Sequence, residues 1–120
     1  MNSRNVTLAA VAICLLQACG TTGNEGWIRL KGAAVESDGR ELQRCHLDLI
    51  DAATDEVLIG DAVAGHFDIR VYPRRPASSY AVTIRCNGFK ETMRVGPFDG
   101  GAGDWTRPVE LGDIVFRRIP

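Results

Sequence analysis

The two histidines of the chain are the side chains best suited to hold a metal ion. Each of them precedes an aspartate by two residues, as His46-x-Asp48 and His66-x-Asp68. Alternate residues of a β-strand point to the same face, so each pair would lie on the outward side of its strand. If the two strands were neighbours, the four side chains could converge on a divalent ion such as zinc. Outward positions of exposed strands are polar in any case, and we expect no bound metal or other cofactor.

A second candidate for chemistry lies near the start of the chain, where Cys19 follows an apolar stretch. Arg4 gives a positive start, residues 6–16 are apolar except for one threonine, and a small residue, Ala18, precedes the cysteine. These are the parts of a secretory signal peptide, and 11 residues fall well short of the roughly 20 that a transmembrane helix needs. Residues 16–19, Leu-Gln-Ala-Cys, resemble the lipobox of bacterial lipoproteins. The resemblance implies cleavage after Ala18 and attachment of a diacylglycerol to the Cys19 thiol.

The cysteine count agrees with a lipidated Cys19. Of the four cysteines, Cys14 belongs to the predicted signal peptide, so three remain after cleavage. An odd cysteine in an exported protein calls for an explanation, and lipidation of Cys19 supplies one. Cys45 and Cys86 are then left to form a disulfide in an oxidising compartment. The alternative is an ordinary signal peptide that is cut a few residues later, with Cys19 lost.

A short polar segment connects Cys19 to the rest of the chain. Residues 20–26 have the composition of a flexible linker, and seven residues reach at most roughly 23 Å, so the domain must lie close to its membrane. Gly20 rather than aspartate follows the cysteine, and proteins resembling Gram-negative lipoproteins with that choice are usually passed to the outer membrane. We expect a domain that is anchored there and faces the periplasm. The chain divides into a signal peptide (1–18), a lipidated cysteine with a linker (19–26) and a folded domain (27–120).

The composition allows one domain and argues against nucleic-acid binding. Loss of Arg4 leaves 13 of the 14 Lys and Arg against 15 acidic residues, a net charge of about −2, whereas nucleic acids require a concentrated basic face. The 102 residues after cleavage suffice for a single modest core. The basic pairs Arg74-Arg75 and Arg117-Arg118 are local features. Their simplest role is to keep a loop and the chain end solvated, and the sharper interpretation is contact with lipid headgroups or a partner.

From Trp27 onward, apolar residues alternate with polar ones, and turns with glycine or proline recur about every ten residues, which predicts an all-β sandwich or barrel. The alternation marks strands near residues 27–35, 45–49, 66–71, 80–86, 93–95 and 109–116. Residues 37–39, Ser-Asp-Gly, predict a turn, as do residues 87–88, Asn-Gly. The step from Leu111 to Ile114 breaks the alternation and predicts a bulge at Gly112-Asp113. No segment after the signal peptide has a convincing helical period.

The alternation also places the two cysteines that remain for a disulfide. Cys45 shares the apolar face of its strand with Leu47 and Leu49, and Cys86 shares a face with Ile84. Both cysteines therefore point into the core, where they can meet. We expect a structural disulfide, because a redox-active pair more often has the spacing C-x-x-C and some exposure to solvent.

Five short motifs follow one another along the predicted strands: Leu30-x-Gly32-x-x-Val35, Cys45-x-Leu47-x-Leu49, Gly65-x-Phe67, Tyr80-x-Val82-x-Ile84-x-Cys86-x-Gly88-Phe89 and Leu111-Gly112-x-Ile114. Their order resembles that of the carboxypeptidase regulatory-like domain over nearly all of residues 27–120. The chain departs from the family before Tyr80, where Ser78-Ser79 replaces the usual Pro-Gly. The resemblance implies a transthyretin-like or immunoglobulin-like β-sandwich of about seven short strands. It also implies an accessory module that stabilises, docks or binds.

The sequence offers little support for catalysis. Its candidate nucleophiles, Ser37, Ser78 and Ser79, lie in turn-like segments without the glycine-framed turn of a nucleophilic serine. Transthyretin-like folds include a purine-pathway hydrolase that ends in Tyr-Arg-Gly-Ser, whereas this chain ends in Arg-Arg-Ile-Pro. Trp105 could be an exposed contact for a partner or a glycan, or it could cover one end of the sandwich.

We therefore expect a lipid-anchored, non-catalytic binding or assembly module that docks an envelope protein through its loops or a free sheet edge. One alternative is a transthyretin-like lipoprotein of the type VI secretion kind, although such proteins are usually longer. Another alternative is a small metal-dependent or hydrolytic enzyme of the envelope.

Overall fold

The computed structural model describes residues 26–99 and 107–118, which form seven β-strands and no helix. The strands are β1 (Ile28–Glu36), β2 (Cys45–Asp51), β3 (Val57–Val63), β4 (His66–Val71), β5 (Tyr80–Cys86), β6 (Thr92–Phe98) and β7 (Val109–Phe116). The prediction of an all-β fold is confirmed. No helix long and apolar enough to cross a membrane occurs among these residues. Residues 1–25, with the predicted signal peptide, Cys19 and most of the linker, lie outside the described part.

The strands form one sheet of three strands and one of four. The three-stranded sheet has the order β4-β1-β7, in which β1 runs antiparallel to β4 and parallel to β7. The four-stranded sheet has the order β3-β2-β5-β6, and all its neighbours are antiparallel. Only β2-β3 and β5-β6 pair as consecutive strands of the described chain. Every other connection between described strands passes from one sheet to the other.

The apolar faces of both sheets share one hydrophobic core, which gives a sandwich-like arrangement. Its largest fully buried side chains are Leu30, Leu47, Leu49, Leu58, Val82, Ile84 and Phe116. Burial of a side chain of this size stabilises a fold by about 1.5–3 kcal/mol. The alternation predicted for β2 is present, because Cys45, Leu47 and Leu49 are buried while His46 and Asp48 are only partly covered.

A disulfide joins Cys45 and Cys86. The two residues lie directly opposite each other in the neighbouring strands β2 and β5, and this register continues to the pair Asp51 and Tyr80. Both cysteines are buried, as their positions on the apolar faces predict. The bridge therefore fixes the two central strands of the four-stranded sheet to each other.

The strand β7 contains a bulge, but its extra residue is Leu111, one position before the predicted Gly112-Asp113. Lys31 pairs with Glu110 and Gly32 pairs with Gly112, so Leu111 is the extra residue of β7. Gly112 has φ of +72°, a left-handed conformation that favours glycine. Because β7 contains this extra residue, Ile114 and Phe116 are buried in the core, as Leu111 is.

The sequence pattern does not reveal β3, the strand at the edge of the four-stranded sheet. Its middle residues, Gly60, Asp61 and Ala62, are all exposed, so apolar and polar positions do not alternate. Its place is set by pairing with β2, from Cys45 opposite Val63 onward. The strand β6 is also longer than the pattern indicates, because it extends over Thr92–Phe98.

The strand directions give the domain two ends. At the amino end, β1 begins at Ile28 opposite Val71, the last residue of β4. At the disulfide end, β3 ends at Val63 opposite Cys45, and β4 begins at His66 a few residues later. The seven residues of β2 span roughly 20 Å between these two ends.

Removing the disulfide is expected to destabilise the domain strongly. In the double variant Cys45→Ala, Cys86→Ala, the free energy of unfolding should fall by about 4 kcal/mol, because the lost crosslink spans 41 residues of the unfolded chain. Thermal unfolding followed by circular dichroism should show Tm lowered by roughly 15–30 °C. A reducing agent should have the same effect on the wild type and no effect on the variant. An unchanged wild-type melt after complete reduction would contradict the structural role of the bridge.

Candidate functional site

A cleft of about 760 Å³ opens at the disulfide end of the four-stranded sheet. Its volume falls within the range of ligand sites in proteins, which extends from about 300 to 1,000 Å³. The buried residues that line it include Cys45, Cys86 and Val63, and the more exposed ones include Arg44, His46, Arg85, Phe89 and Lys90. The lining therefore combines buried apolar residues with more exposed polar and charged ones.

The charges of the cleft are of one sign. Arg44, Arg85 and Lys90 line it, and none of the described lining residues is Asp or Glu. Among residues 26–99 and 107–118, Arg44 and Lys90 form no ion pair. Arg85 has only a long contact of 3.4 Å with Asp48 Oδ2, outside the lining. The charged side chains that line the cleft are thus all basic, which favours an anionic ligand.

The disulfide positions two of the three cations. Arg44 directly precedes Cys45 and Arg85 directly precedes Cys86, so the bridge between the cysteines also holds the backbone of both arginines. Arg85 lies opposite His46 in the register of β2 and β5. The sequence pattern drew attention to the two Arg-Arg pairs and did not indicate these cations. The repeated Arg-Cys dipeptide could have indicated them, because a disulfide between two cysteines also brings the residues that precede them close together.

The turn at residues 87–88 carries the third cation, Lys90, and the ring of Phe89 to the cleft. Its glycine has φ of +90°, and the N–H of Phe89 donates to the Cys86 carbonyl at 3.1 Å, which confirms the predicted turn. The ring of Phe89 packs on that of Phe116 with centroids 5.6 Å apart. The interaction joins this wall of the cleft to the other sheet.

Arg118 takes part in the structure of the same end. Its guanidinium lies 4.7 Å from the centroid of the Phe89 ring, and its Nε donates to Glu36 Oε1 at 3.3 Å. Glu36 is itself buried at the end of β1. One member of the pair Arg117-Arg118 therefore holds a buried carboxylate in addition to solvating the chain end.

His46 and Asp48 share the outward face of β2, as predicted. His46 Nε2 lies 2.9 Å from Asp48 Oδ1, which makes a hydrogen-bonded pair beside the cleft. The pair lies over Gly60 of β3, where a Cβ atom would come within 2.5 Å of Asp48 Oδ1. The absence of a side chain at Gly60 leaves the space that this pair occupies.

His66 and Asp68 lie on the three-stranded sheet and have other partners. His66 Nδ1 lies 2.7 Å from Glu41 Oε2. Asp68 accepts two hydrogen bonds from the Arg29 guanidinium, at 2.8 and 2.6 Å. Both side chains are thus engaged in contacts on the outward face of that sheet.

The structure does not bring the two predicted metal-binding pairs together. The strands β2 and β4 belong to different sheets, so they are not neighbours. Since both sheets bury their inner faces in one core, the outward faces that carry the two pairs point away from each other. Within the described ranges, no group of three or more His, Cys, Asp or Glu side chains could hold a metal ion.

Arg74 and Arg75 lie at the amino end and contact the turn between β2 and β3. Arg75 Nη2 donates to Asp51 Oδ2 at 2.8 Å and to Glu56 Oε1 at 2.6 Å. Arg74 Nη2 donates to the Val57 carbonyl at 2.6 Å. The basic pair therefore fastens the loop between β4 and β5 to this turn.

A role of Arg74 and Arg75 in contact with lipid or a partner stays a prediction. Trp105, the other residue that the sequence suggested for a contact, lies outside the described residues. Aromatic side chains are nevertheless exposed at the amino end, where Trp27 stacks on Tyr72 with ring centroids 5.2 Å apart.

Arg75 also changes the acidity of the carboxyls it contacts. Its hydrogen bond is the main reason that the pKa of Asp51 lies below the ordinary 3.8, and the N–H of Ala53 lowers this pKa further. The same guanidinium holds the pKa of Glu56 below the ordinary 4.5. The contact with Glu56, followed by that with Asp51, raises the pKa of Arg75.

Comparison with family models, curated proteins and solved structures found no match for this chain. The resemblance of its motifs to the carboxypeptidase regulatory-like domain therefore stays a prediction. The chemistry of the cleft follows from its own side chains.

The lowered pKa values of Asp51 and Glu56 predict a loss of stability in acid. A carboxyl with a lower pKa in the folded than in the unfolded chain stabilises the fold fully above its ordinary pKa. This contribution is lost as the pH falls through the folded-state pKa, here below about pH 4. In the variant Arg75→Ala, Tm at neutral pH should be lower by a few degrees, and its decrease in acid should be shallower than in the wild type.

The measurement is Tm as a function of pH for both proteins. Asp68→Asn is the matched control, because it breaks a separate carboxylate pair on the other sheet, so its effect should add to that of Arg75→Ala. Equal slopes of Tm against pH in the wild type and in Arg75→Ala would contradict the assignment.

Proposed function

We propose that this protein is a lipid-anchored, non-catalytic binding module of the cell envelope. In this proposal Cys19 holds it at the outer membrane, and a transthyretin-like sandwich of the carboxypeptidase regulatory kind faces the periplasm. The observation that carries the proposal is the position of the cationic cleft at the disulfide end, opposite the end at which the chain enters the domain.

The geometry of the tether supports a division of roles between the two ends. The linker over residues 20–26 reaches at most roughly 23 Å, so a lipid on Cys19 would keep the amino end beside the membrane. The cleft, roughly 20 Å farther along the strands, would then open toward the periplasm. Trp27 and Tyr72 are 38% and 55% exposed at the amino end, and such residues are enriched where proteins meet the membrane surface.

The side chains of the cleft favour binding over catalysis. They offer cations, an apolar surface, the amides of Gln43 and Asn87, the imidazole of His46 and the hydroxyl of Thr92. The two cysteines are joined in the disulfide and do not supply a thiolate. The pair of His46 and Asp48 borders the cleft, but no serine is present among the described lining residues. Charge and shape complementarity are the means by which such a surface selects a partner.

Loss of the lipid should release the protein from the membrane. The variant Cys19→Ala, exported with the signal peptide of a soluble periplasmic protein, should move to the soluble periplasmic fraction, because the thiol that would take the lipid is gone. Cys14→Ala with its own signal peptide is the control and should stay membrane-bound. Fractionation and incorporation of labelled palmitate measure both. Retention of the Cys19→Ala form in the membrane fraction, as in the wild type, would argue against the anchor.

Crosslinking in cells should locate the partner at the cleft. A photoreactive amino acid at Asn87 or Thr92, which line the cleft, should give a discrete crosslinked product. The same amino acid at Lys31, on the outward face of the other sheet, is the matched control and should give none. Products from the Lys31 position alone would contradict a binding role for the cleft.

A further inference from the structure

We infer that the cleft at the disulfide end receives an acidic segment of a protein partner, with carboxylates next to an apolar side chain. The inference rests on the proposed binding role of the cleft and specifies the chemistry of the partner. It follows from the charges, the apolar lining and the position of the cleft.

Two of the three cations of the cleft differ from most other cations of the described domain in forming no ion pair, and the third forms only a long one. Arginines that form ion pairs elsewhere are Arg29, Arg40, Arg74, Arg75, Arg94 and Arg118. Within the described part of the chain, Arg44 and Lys90 have no such pair, and Arg85 has one contact of 3.4 Å. An acidic ligand would supply the missing counter-charges through charge-assisted hydrogen bonds.

The size and the apolar part of the cleft require more than a single anion. A volume of about 760 Å³ would be left mostly empty by one phosphate or carboxylate. Val63, Ala64 and the ring of Phe89 offer apolar contact beside the cations. A peptide segment with an apolar side chain flanked by Asp or Glu matches both properties.

The position of the cleft favours a protein over the anchoring membrane. Headgroups of that membrane would lie beyond the amino end, whereas the cleft opens at the other end of the strands. The disulfide holds Arg44 and Arg85 in place before binding, so little conformational entropy of the backbone is lost there when a ligand arrives.

The test uses the soluble Cys19→Ala protein and a fluorescent peptide in which Glu alternates with Phe and Leu. Fluorescence anisotropy should show saturable binding that weakens as salt is raised. The double variant Arg44→Ala, Lys90→Ala should weaken it by roughly tenfold or more, because two charge-assisted contacts are lost. The matched variant Lys31→Ala, Arg94→Ala removes equal charge elsewhere and should change the affinity by no more than about twofold.

Three further comparisons decide the chemistry. Replacement of every Glu in the peptide by Gln should abolish binding, and equal binding of the Gln peptide would overturn the acidic requirement. Equal affinity of the wild type and the Arg44→Ala, Lys90→Ala variant, with the variant folded by circular dichroism, would overturn the site. Binding to phosphatidylglycerol vesicles through Arg44 and Lys90, without peptide binding, would assign the cleft to an anionic lipid surface instead.

The experiments distinguish failure of this inference from failure of the proposed function. A partner captured by crosslinking at Thr92 from a protein that ignores acidic peptides would remove this inference and leave the binding role of the cleft in place. Absence of crosslinks at Asn87 and Thr92 together with absence of peptide binding would remove both.

Discussion

The bond between Cys45 and Cys86 is the constraint on which the rest of the domain depends. It joins the two central strands of the four-stranded sheet at one end, and from that point the register of β2 and β5 continues residue by residue. The inward positions of this register supply seven of the 17 buried residues of the core cluster, while its outward positions carry His46, Asp48 and Arg85. One covalent contact thereby fixes both the packing of the interior and the surface beside the cleft.

The same constraint explains how a small domain can keep three cations in one cleft. Repulsion among Arg44, Arg85 and Lys90 opposes their proximity, and the described lining residues include no carboxylate to offset it. The disulfide and the turn at residues 87–88 hold the backbone against this repulsion. At the amino end, by contrast, Arg75 is neutralised by Asp51 and Glu56. The loop arginine at the amino end is thus neutralised by carboxylates, whereas the cations of the cleft have no carboxylate among the residues that line it.

The sequence pattern predicted most of the strands because alternation records which side of a strand meets the core. It failed for β3, because Gly60, Asp61 and Ala62 are all exposed and show no alternation of apolar and polar residues. It indicated a bulge in β7, since an extra residue must shift the alternation, but it placed the bulge at Gly112-Asp113 rather than at Leu111. The metal-site hypothesis depended on which strands are neighbours, and the alternation of residues along a strand gives no information about that. His46 and His66 lie in different sheets, and each has a carboxylate of its own nearby.

The sequence by itself determined the all-β class, the inward direction of Cys45 and Cys86 and the outward direction of His46 and Asp48, because each of these follows from the periodicity of an extended chain. The tertiary structure alone decided that Arg44, Arg85 and Lys90 meet in one cleft and that Arg74 and Arg75 face acidic partners. These juxtapositions join residues far apart in the chain. They arise from strand order and register, which depend on the packing of the whole core rather than on any local pattern.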